Sequence, residues 1–309
     1  MLQAFMRHRG FLMTAPVFCI AAVLCDVGAV ADTHDGYRTV ISGTPWVPGL
    51  GGEKVVYGTD DRVDVYQETD PARKALAGSV CALLSKYDLA PVSGGGWHIN
   101  VSAYEYDGLP PCSGEPFANQ PTAAFCTGFL VGPDIVATAG HCYDSGDYSG
   151  VRFVFGFEMK DADTPNLDVS DDQVYTGVAL LGHQLDDATA LDYSVIRLDR
   201  PVTAPGAVPL PIRRTGIVPV SAAVGVIGHP SGLPEKIAFG ATTHVTQNSA
   251  TGYFVANLDT YGGNSGSPVF NAATGVVEGI LVRGNNDFTT NWFCFASDVL
   301  PDSTYDAER

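Results

Sequence analysis

Short apolar runs separated by glycine, proline and asparagine dominate the chain. Residues 151–157 carry apolar side chains at every second position, which is the spacing of a half-buried strand. Residues 125–131 and 135–138 flank the turn Gly132-Pro133-Asp134 and predict a β-hairpin. The same kind of pattern predicts further strands at 79–84, 194–198, 222–227, 253–258, 267–270 and 276–282.

Helical signals are rare. Asp70 followed by Pro71 predicts one short helix, because aspartate is a good N-cap and proline suits the first helical position. The 35 glycines and 20 prolines among 309 residues argue against a helical bundle. We therefore predict an all-β chain of two tandem β-barrels, the first over residues 55–200 and the second over 201–309.

The N-terminus has the pattern of an export signal. Arg7 and Arg9 precede an apolar run at 11–25, and Ala29-Val30-Ala31 offers a cleavage site, so residues 1–31 are predicted to be a signal peptide. Lipid attachment at Cys25 is a weaker alternative. These features predict a secreted protein, extracellular or periplasmic.

Residues 32–54 are polar and rich in glycine, proline and threonine, and they predict a pro-segment or linker. The net charge of −17 argues against nucleic-acid and anionic-membrane partners. The acidic stretch 161–172 is interpreted as a solvated loop, with a calcium site as the alternative. We expect a monomer.

Five cysteines follow the signal peptide: Cys81, Cys112, Cys126, Cys142 and Cys294. Most should pair in an oxidising compartment, and the odd count leaves one thiol over. Cys126 and Cys142 bracket the predicted hairpin and are expected to form one disulfide. The pairing of the other three stays open. The spacings are not those of a zinc site, so no metal is expected.

Three residues have the chemistry of a serine hydrolase. His141, in TAGHC after the hairpin, is the candidate base, with a structural histidine as the alternative. Ser265, in GGNSGSP, is the candidate nucleophile, and its glycines would let the N–H groups of Gly263 and Ser265 form an oxyanion hole. A simple Gly/Ser turn is the alternative.

The carboxylate that orients the base is assigned to Asp192. It begins the apolar run DYSVIRL, which would carry it beneath the imidazole. Asp186 and Asp187 are alternatives by proximity, but no strand follows them directly.

The His-Asp-Ser order and the strings TAGHC, DYSVIRL and GGNSGSP resemble the chymotrypsin-like serine peptidase superfamily, and most of all its bacterial V8-like glutamyl endopeptidase branch. The resemblance covers residues 55 to 295. It implies two six-stranded antiparallel barrels with the active site in the cleft between them. It also implies hydrolysis of protein or peptide substrates through an acyl-enzyme, without a cofactor.

Two features bear on activation. Asn264 stands where trypsin-like digestive enzymes have the aspartate that pairs with a new N-terminal amine, and V8-like enzymes share this asparagine. The segment starting at Val55 resembles their mature N-terminus, which predicts cleavage after Lys54.

The resemblance gives conflicting indications of specificity in the S1 pocket, for which Asp259, Thr260, Leu281 and Gly284 are the candidate residues. Leu281 stands where glutamyl-specific relatives have a histidine, whereas Thr260 fits the V8-like pattern. Asp259 occupies the place of the trypsin-like pocket aspartate and favours cleavage after Arg or Lys, with cleavage after Glu as the alternative. Arg283 could neutralise Asp259 or attract an acidic side chain.

Two other classes of protein compete with a peptidase. A catalytically inactive binding module on the same fold is disfavoured by the intact triad. An α/β-hydrolase esterase would have its serine first in the chain and a helix after it, whereas Ser265 comes last and precedes a predicted strand.

Overall fold

The computed structural model describes residues 55–143, 149–186, 188–248, 252–284 and 286–302. The predicted signal peptide (1–31) and pro-segment (32–54) lie outside these residues, as does Asp187. Within the described part of the chain, no helix has the length and apolarity needed to span a membrane.

Short strands make up most of the regular structure, as the sequence predicts. In chain order, the described strands β1 to β21 are Val56–Tyr57, Arg62–Asp64, Val80–Ser85, Leu89–Pro91, Trp97–Ile99, Cys126–Gly132, Ile135–Thr138, Val151–Phe155, Asp168–Val169, Val174–Tyr175, Gly177–Asp186, Leu191–Leu198, Val224–Gly228, Lys236–Ala238, Val245–Gln247, Val255–Ala256, Pro268–Asn271, Val277–Ile280, Phe288–Thr290, Phe295–Ser297 and Val299–Leu300.

One α-helix, α1 (Pro71–Ala77), is found in the described residues, and it confirms the predicted start. The Asp70 side chain accepts a hydrogen bond from the Ala72 N–H at 2.8 Å, which satisfies a donor that the first helical turn leaves unpaired. Single 3₁₀ turns occur at Lys86–Asp88, Gly140–Cys142, Asp171–Gln173 and Pro230–Gly232.

The first half forms a seven-stranded antiparallel sheet in the order β10-β8-β3-β6-β7-β12-β11. The second half forms a five-stranded antiparallel sheet in the order β18-β17-β13-β14-β2. One buried apolar cluster is made mostly of first-half residues and another lies wholly in the second half. A third cluster joins the two halves, for example through Phe129 and Phe270. The predicted all-β class with one antiparallel sheet system in each half is confirmed.

The predicted hairpin is confirmed as β6 and β7, which pair antiparallel with Gly128 opposite Thr138. Strand β12 then pairs with β7, so the sheet places the chain after β7 beside the start of β12. Local alternation of apolar residues was enough to predict this part of the fold.

The first described residues differ from the prediction that 55–200 form one barrel. Strand β2 pairs with β14 of the second half, and β1 pairs in parallel with β21 near the end of the described chain. Their partners lie about 170 to 240 residues away, and such a pairing leaves no local pattern in the sequence. Residues 55–64 therefore belong to the C-terminal sheet system.

The cysteine pairing is complete in the described residues. The predicted Cys126–Cys142 disulfide is confirmed, and Cys112 pairs with Cys294. Cys81 is the remaining thiol; it is fully buried on β3, and burial raises its pKa.

Candidate active site

His141 lies in the 3₁₀ turn that follows β7, and the disulfide from Cys142 to Cys126 ties this turn back to the start of β6. Its backbone N–H donates to Oδ1 of Asp192 at 3.0 Å, and its Nδ1 lies 2.8 Å from Oδ2 of the same carboxylate. Because Nδ1 faces a carboxylate oxygen that can only accept, the ring proton lies on Nδ1. Nε2 is then free to accept a proton.

Asp192 is the second residue of β12, and its side chain is almost fully buried. Burial acts to raise its pKa, but the hydrogen bonds and charge of His141, with a contribution from Arg283, hold that pKa below its ordinary value. Asp192 is therefore ionised at neutral pH. The alternative Asp186 is exposed, and its carboxylate accepts a hydrogen bond from the Ala188 N–H at 2.8 Å.

Gly140 lets His141 approach this carboxylate. A Cβ at this position would lie 2.3 Å from the carbonyl oxygen of Gln184 on β11 and 2.9 Å from Oδ1 of Asp192. No real side chain tolerates such distances, so the glycine in TAGHC is required by the close approach of β11 and β12.

Ser265 lies beside this pair. Its carbonyl oxygen accepts a hydrogen bond from the Thr127 N–H on β6 at 2.8 Å and lies 3.6 Å from Sγ of Cys142. The nucleophile candidate of the second half is thus fixed against the strand and the disulfide that hold His141. The structure therefore joins His141 to Asp192 and places the backbone of Ser265 against Cys142, the residue after His141.

The loop before Ser265 is held from several sides. The Gly262 N–H donates to Oδ2 of Asp287 at 2.8 Å, and the Gly262 carbonyl accepts from the Ser231 N–H at 2.5 Å. The Gly263 carbonyl accepts from the Thr127 hydroxyl at 2.9 Å. These contacts fix the peptide planes on both sides of Gly263.

Gly263 has φ +87°, and a Cβ there would lie 2.5 Å from the carbonyl oxygen of His229. The GGN part of the motif is therefore needed for a left-handed backbone in a crowded place. Sequence reasoning found Gly263 but missed Asp287, Ser231 and Thr127, because no pattern links these distant residues to the loop.

The structure does not support the predicted S1 role of Asp259. This residue is 3% exposed, and its two carboxylate oxygens accept hydrogen bonds from the N–H groups of Tyr57 and Asp61, both at 2.7 Å. Asp259 thus satisfies the backbone of the first described segment. A substrate Arg or Lys could bind it only by displacing these donors.

Leu281 is also placed differently from the prediction. Its side chain is buried in the apolar core of the second half with Leu258 and Val269, and its backbone pairs with Gly266 and Ser267. Leu281 directly follows β18, and its side chain is directed into this core.

The other two candidate S1 residues differ in exposure. Thr260 is fully buried, whereas Gly284 is partly exposed. Arg283 extends towards the candidate catalytic residues, with its guanidinium 3.9 Å from Oδ2 of Asp192.

One group of residues has the spacing of metal ligands within the described part of the chain: Cys126, His141 and Cys142. The two sulfurs form a disulfide with each other, so neither is the thiolate that a zinc site requires. This donor set does not fit a metal ion.

This combination of two antiparallel sheets with a His-Asp pair beside a glycine-flanked serine is the arrangement of a chymotrypsin-like peptidase. A family model described as trypsin-like peptidase domain matches residues 126–280, and the chain belongs to this family. The resemblance inferred from the motifs is confirmed.

Individual relatives are distant. An extracellular metalloprotease of Bacillus subtilis (strain 168) is 28% identical over 159 residues, which are 50% of this chain and 48% of that protein. The match thus spans about half the length of this relative.

Two solved structures are similar in fold. A Glu endopeptidase in complex with MPD has a TM-score of 0.43 and 19% identity, over 74% of this chain and 88% of that chain. Human heparin binding protein has a TM-score of 0.40 and 18% identity, over 52% and 75%.

Proposed function

We propose that this chain is a secreted serine-type endopeptidase that cleaves protein or peptide substrates through an acyl-enzyme. The observation that carries the proposal is the double hydrogen bond between His141 and Asp192, with the backbone of Ser265 held against the adjacent Cys142. Membership of a peptidase family supports the same reaction class.

In the proposed reaction, Oγ of Ser265 attacks the carbonyl carbon of the scissile bond while Nε2 of His141 accepts the hydroxyl proton. The ionised Asp192 stabilises the imidazolium that results. His141 then protonates the leaving amine, and water hydrolyses the ester in the reverse sequence of proton transfers. No cofactor takes part in these steps.

The negative oxygen of the tetrahedral intermediate would be bound by the N–H groups of Gly263 and Ser265. The fixed orientation of the peptides around Gly263 supports this assignment, since donors that are already oriented need no reorganisation during the reaction.

Export is supported by the two disulfides, which form in oxidising compartments, and the similar Bacillus protein is described as extracellular. The net charge of −17 supports a soluble monomer without nucleic-acid or membrane partners.

A fluorophosphonate probe and a peptide hydrolysis assay test the proposal together. We expect the probe to label wild-type protein at Ser265, and both labelling and hydrolysis to be lost in Ser265→Ala. Exposed Ser113 offers a matched control, because Ser113→Ala should leave both signals unchanged. Absence of both labelling and hydrolysis in the wild-type protein would favour a catalytically inactive binding module, and full hydrolysis by Ser265→Ala would exclude the assignment.

A metal-dependent peptidase is the second candidate, because the Bacillus relative carries that description. The disulfide between Cys126 and Cys142 argues against a metal at His141. We expect excess chelator to leave hydrolysis unchanged under conditions in which the fluorophosphonate abolishes it, and the opposite result would favour the metal-dependent candidate.

For specificity, cleavage after Arg or Lys loses its main support with the burial of Asp259. Cleavage after Glu, the alternative, gains a cation near the cleft in Arg283, although Leu281 stands in place of the expected histidine. We therefore propose an acidic rather than a basic preference.

A further inference from the structure

The first described segment packs against the chain that leads to the nucleophile. The Val55 carbonyl accepts a hydrogen bond from the Thr260 N–H at 3.2 Å, and the N–H groups of Tyr57 and Asp61 donate to the two oxygens of Asp259. Val55 and Tyr57 are both buried. The segment therefore packs directly against Asp259 and Thr260, a few residues before the candidate nucleophile Ser265.

Arg62 extends the same contact along the segment. Its guanidinium is buried, is paired with the Asp60 carboxylate through Nε and a terminal nitrogen, and donates to the Tyr261 hydroxyl at 2.9 Å. It also stacks on the Tyr261 ring at 3.8 Å, which adds a cation–π interaction in a desolvated place.

Tyr261 is the first residue of the loop that contains the proposed oxyanion hole. Its carbonyl accepts the Asn264 N–H at 3.0 Å, which closes the turn containing Gly262 and Gly263. The segment at residues 55–62 thus holds the chain at Asp259, Thr260 and Tyr261, directly before this turn.

We propose that residues 55–62 set the conformation of the loop 261–265, and that Asp259 and Arg62 are the positioning residues through which they do so. This inference rests on the proposed peptidase function. It assigns to Asp259 a role in turnover in place of substrate recognition.

The physical reason is the cost of a buried carboxylate. Asp259 is 3% exposed, and the two backbone donors at its oxygens offset the desolvation of its charge. If the segment leaves, the carboxylate loses both donors and must move towards water. Such a movement shifts Thr260 and Tyr261, and with them the turn that orients the N–H of Gly263.

The test compares Asp259→Asn with Asp64→Asn in the full chain at pH 8. The amide introduced by Asp259→Asn would keep one acceptor oxygen and turn an NH₂ group towards an N–H donor. Asp64, at the end of β2, is as deeply buried as Asp259. Its carboxylate pairs with Lys236 at 2.7 Å and with the Gln120 amide at 2.9 Å, and not with the loop 261–265. Both variants remove one buried charge, but only Asp259→Asn changes a residue in the chain that leads into the loop.

We expect Asp259→Asn to lower kcat by roughly 10- to 100-fold with KM within about threefold, because misaligning an oxyanion donor should cost less than the roughly 10²- to 10³-fold that its complete removal costs. Asp64→Asn should leave kcat within about twofold even if it lowers the melting temperature. Tyr261→Phe, a milder change that removes the hydroxyl partner of Arg62, should lower kcat by about three- to tenfold and serves if Asp259→Asn does not fold.

Hydrogen–deuterium exchange over residues 259–266 gives a readout that does not need activity. We expect faster exchange in Asp259→Asn and in Tyr261→Phe, and wild-type exchange in Asp64→Asn. Wild-type kcat and exchange in the two loop variants, or equal losses in the Asp64 variant, would overturn the inference. An inactive wild type with the expected exchange pattern would count against the peptidase and leave the positioning role supported.

Discussion

Both oxygens of Asp192 are bound by one residue, because the backbone N–H and Nδ1 of His141 each contact a different oxygen of this carboxylate. The aspartate thereby fixes both the position of the turn and the orientation of the ring. Two donors on two oxygens also mean that an amide cannot replace the carboxylate without turning a donor towards a donor.

We expect Asp192→Asn to lower kcat by about 10⁴-fold, because the amide favours the tautomer with the proton on Nε2. Steady-state hydrolysis across pH 5–10 measures the loss. Asp186→Asn is the matched control and should retain wild-type activity, since that residue caps an exposed turn. Equal losses in the two variants would contradict the assignment of the carboxylate.

Gly140 gives a second test through sterics. Gly140→Ala would place a methyl group 2.3 Å from the Gln184 carbonyl, so either β11 or His141 must shift. We expect kcat to fall by roughly 10- to 100-fold, the effect of a displacement of about 1 Å at a catalytic group. Gly182→Ala, where the nearest atom would be 3.8 Å away, should be nearly silent. A fully active Gly140→Ala would show that the site tolerates this shift.

Burial raises the pKa of Asp259 to about 7, against the effect of its two backbone donors. A carboxyl whose pKa is raised on folding contributes stability that is present below its unfolded pKa of about 4 and is lost as the pH rises through 7. Asp259→Asn cannot titrate, so its free energy of unfolding should fall less than that of wild type between pH 4 and 7. Urea denaturation at several pH values measures the difference, and parallel curves would contradict the shift.

Maturation is tested at the N-terminus. Burial of Val55 and its contact with Thr260 suit a chain end formed after Lys54, and mass spectrometry of secreted protein should find Val55 first. Lys54→Gln should slow this processing if a protease recognises the lysine. Fully active protein that begins at residue 32 would show that removal of the pro-segment is not required.

Specificity is tested with a peptide library. We expect no selective cleavage after Arg or Lys, because the oxygens of Asp259 are occupied, and a preference for acidic residues that Arg283→Gln reduces. Arg214→Gln, a change at an exposed basic residue, is the control and should leave the profile unchanged. Strong cleavage after Arg that Asp259→Ser removes would restore the original pocket assignment.

The sequence predicted the parts of the molecule that depend on neighbours along the chain. The β6–β7 hairpin and the Asp70 cap follow from local patterning and are confirmed, and the strings around His141 and Asp192 lie in contact with each other. The direction of the Asp259 side chain did not, since its partners Tyr57 and Asp61 lie about 200 residues away. Contacts between distant segments are decided by packing, which a single sequence does not display.

The free thiol of Cys81 is a built-in probe of unfolding. Its thiol is sealed inside the first sheet while the other four described cysteines are oxidised, so a thiol reagent can reach it only when that sheet opens. In protein that begins at Val55, the rate at which a thiol reagent labels Cys81 would therefore measure how often the half that carries His141 and Asp192 opens. The measurement needs no substrate.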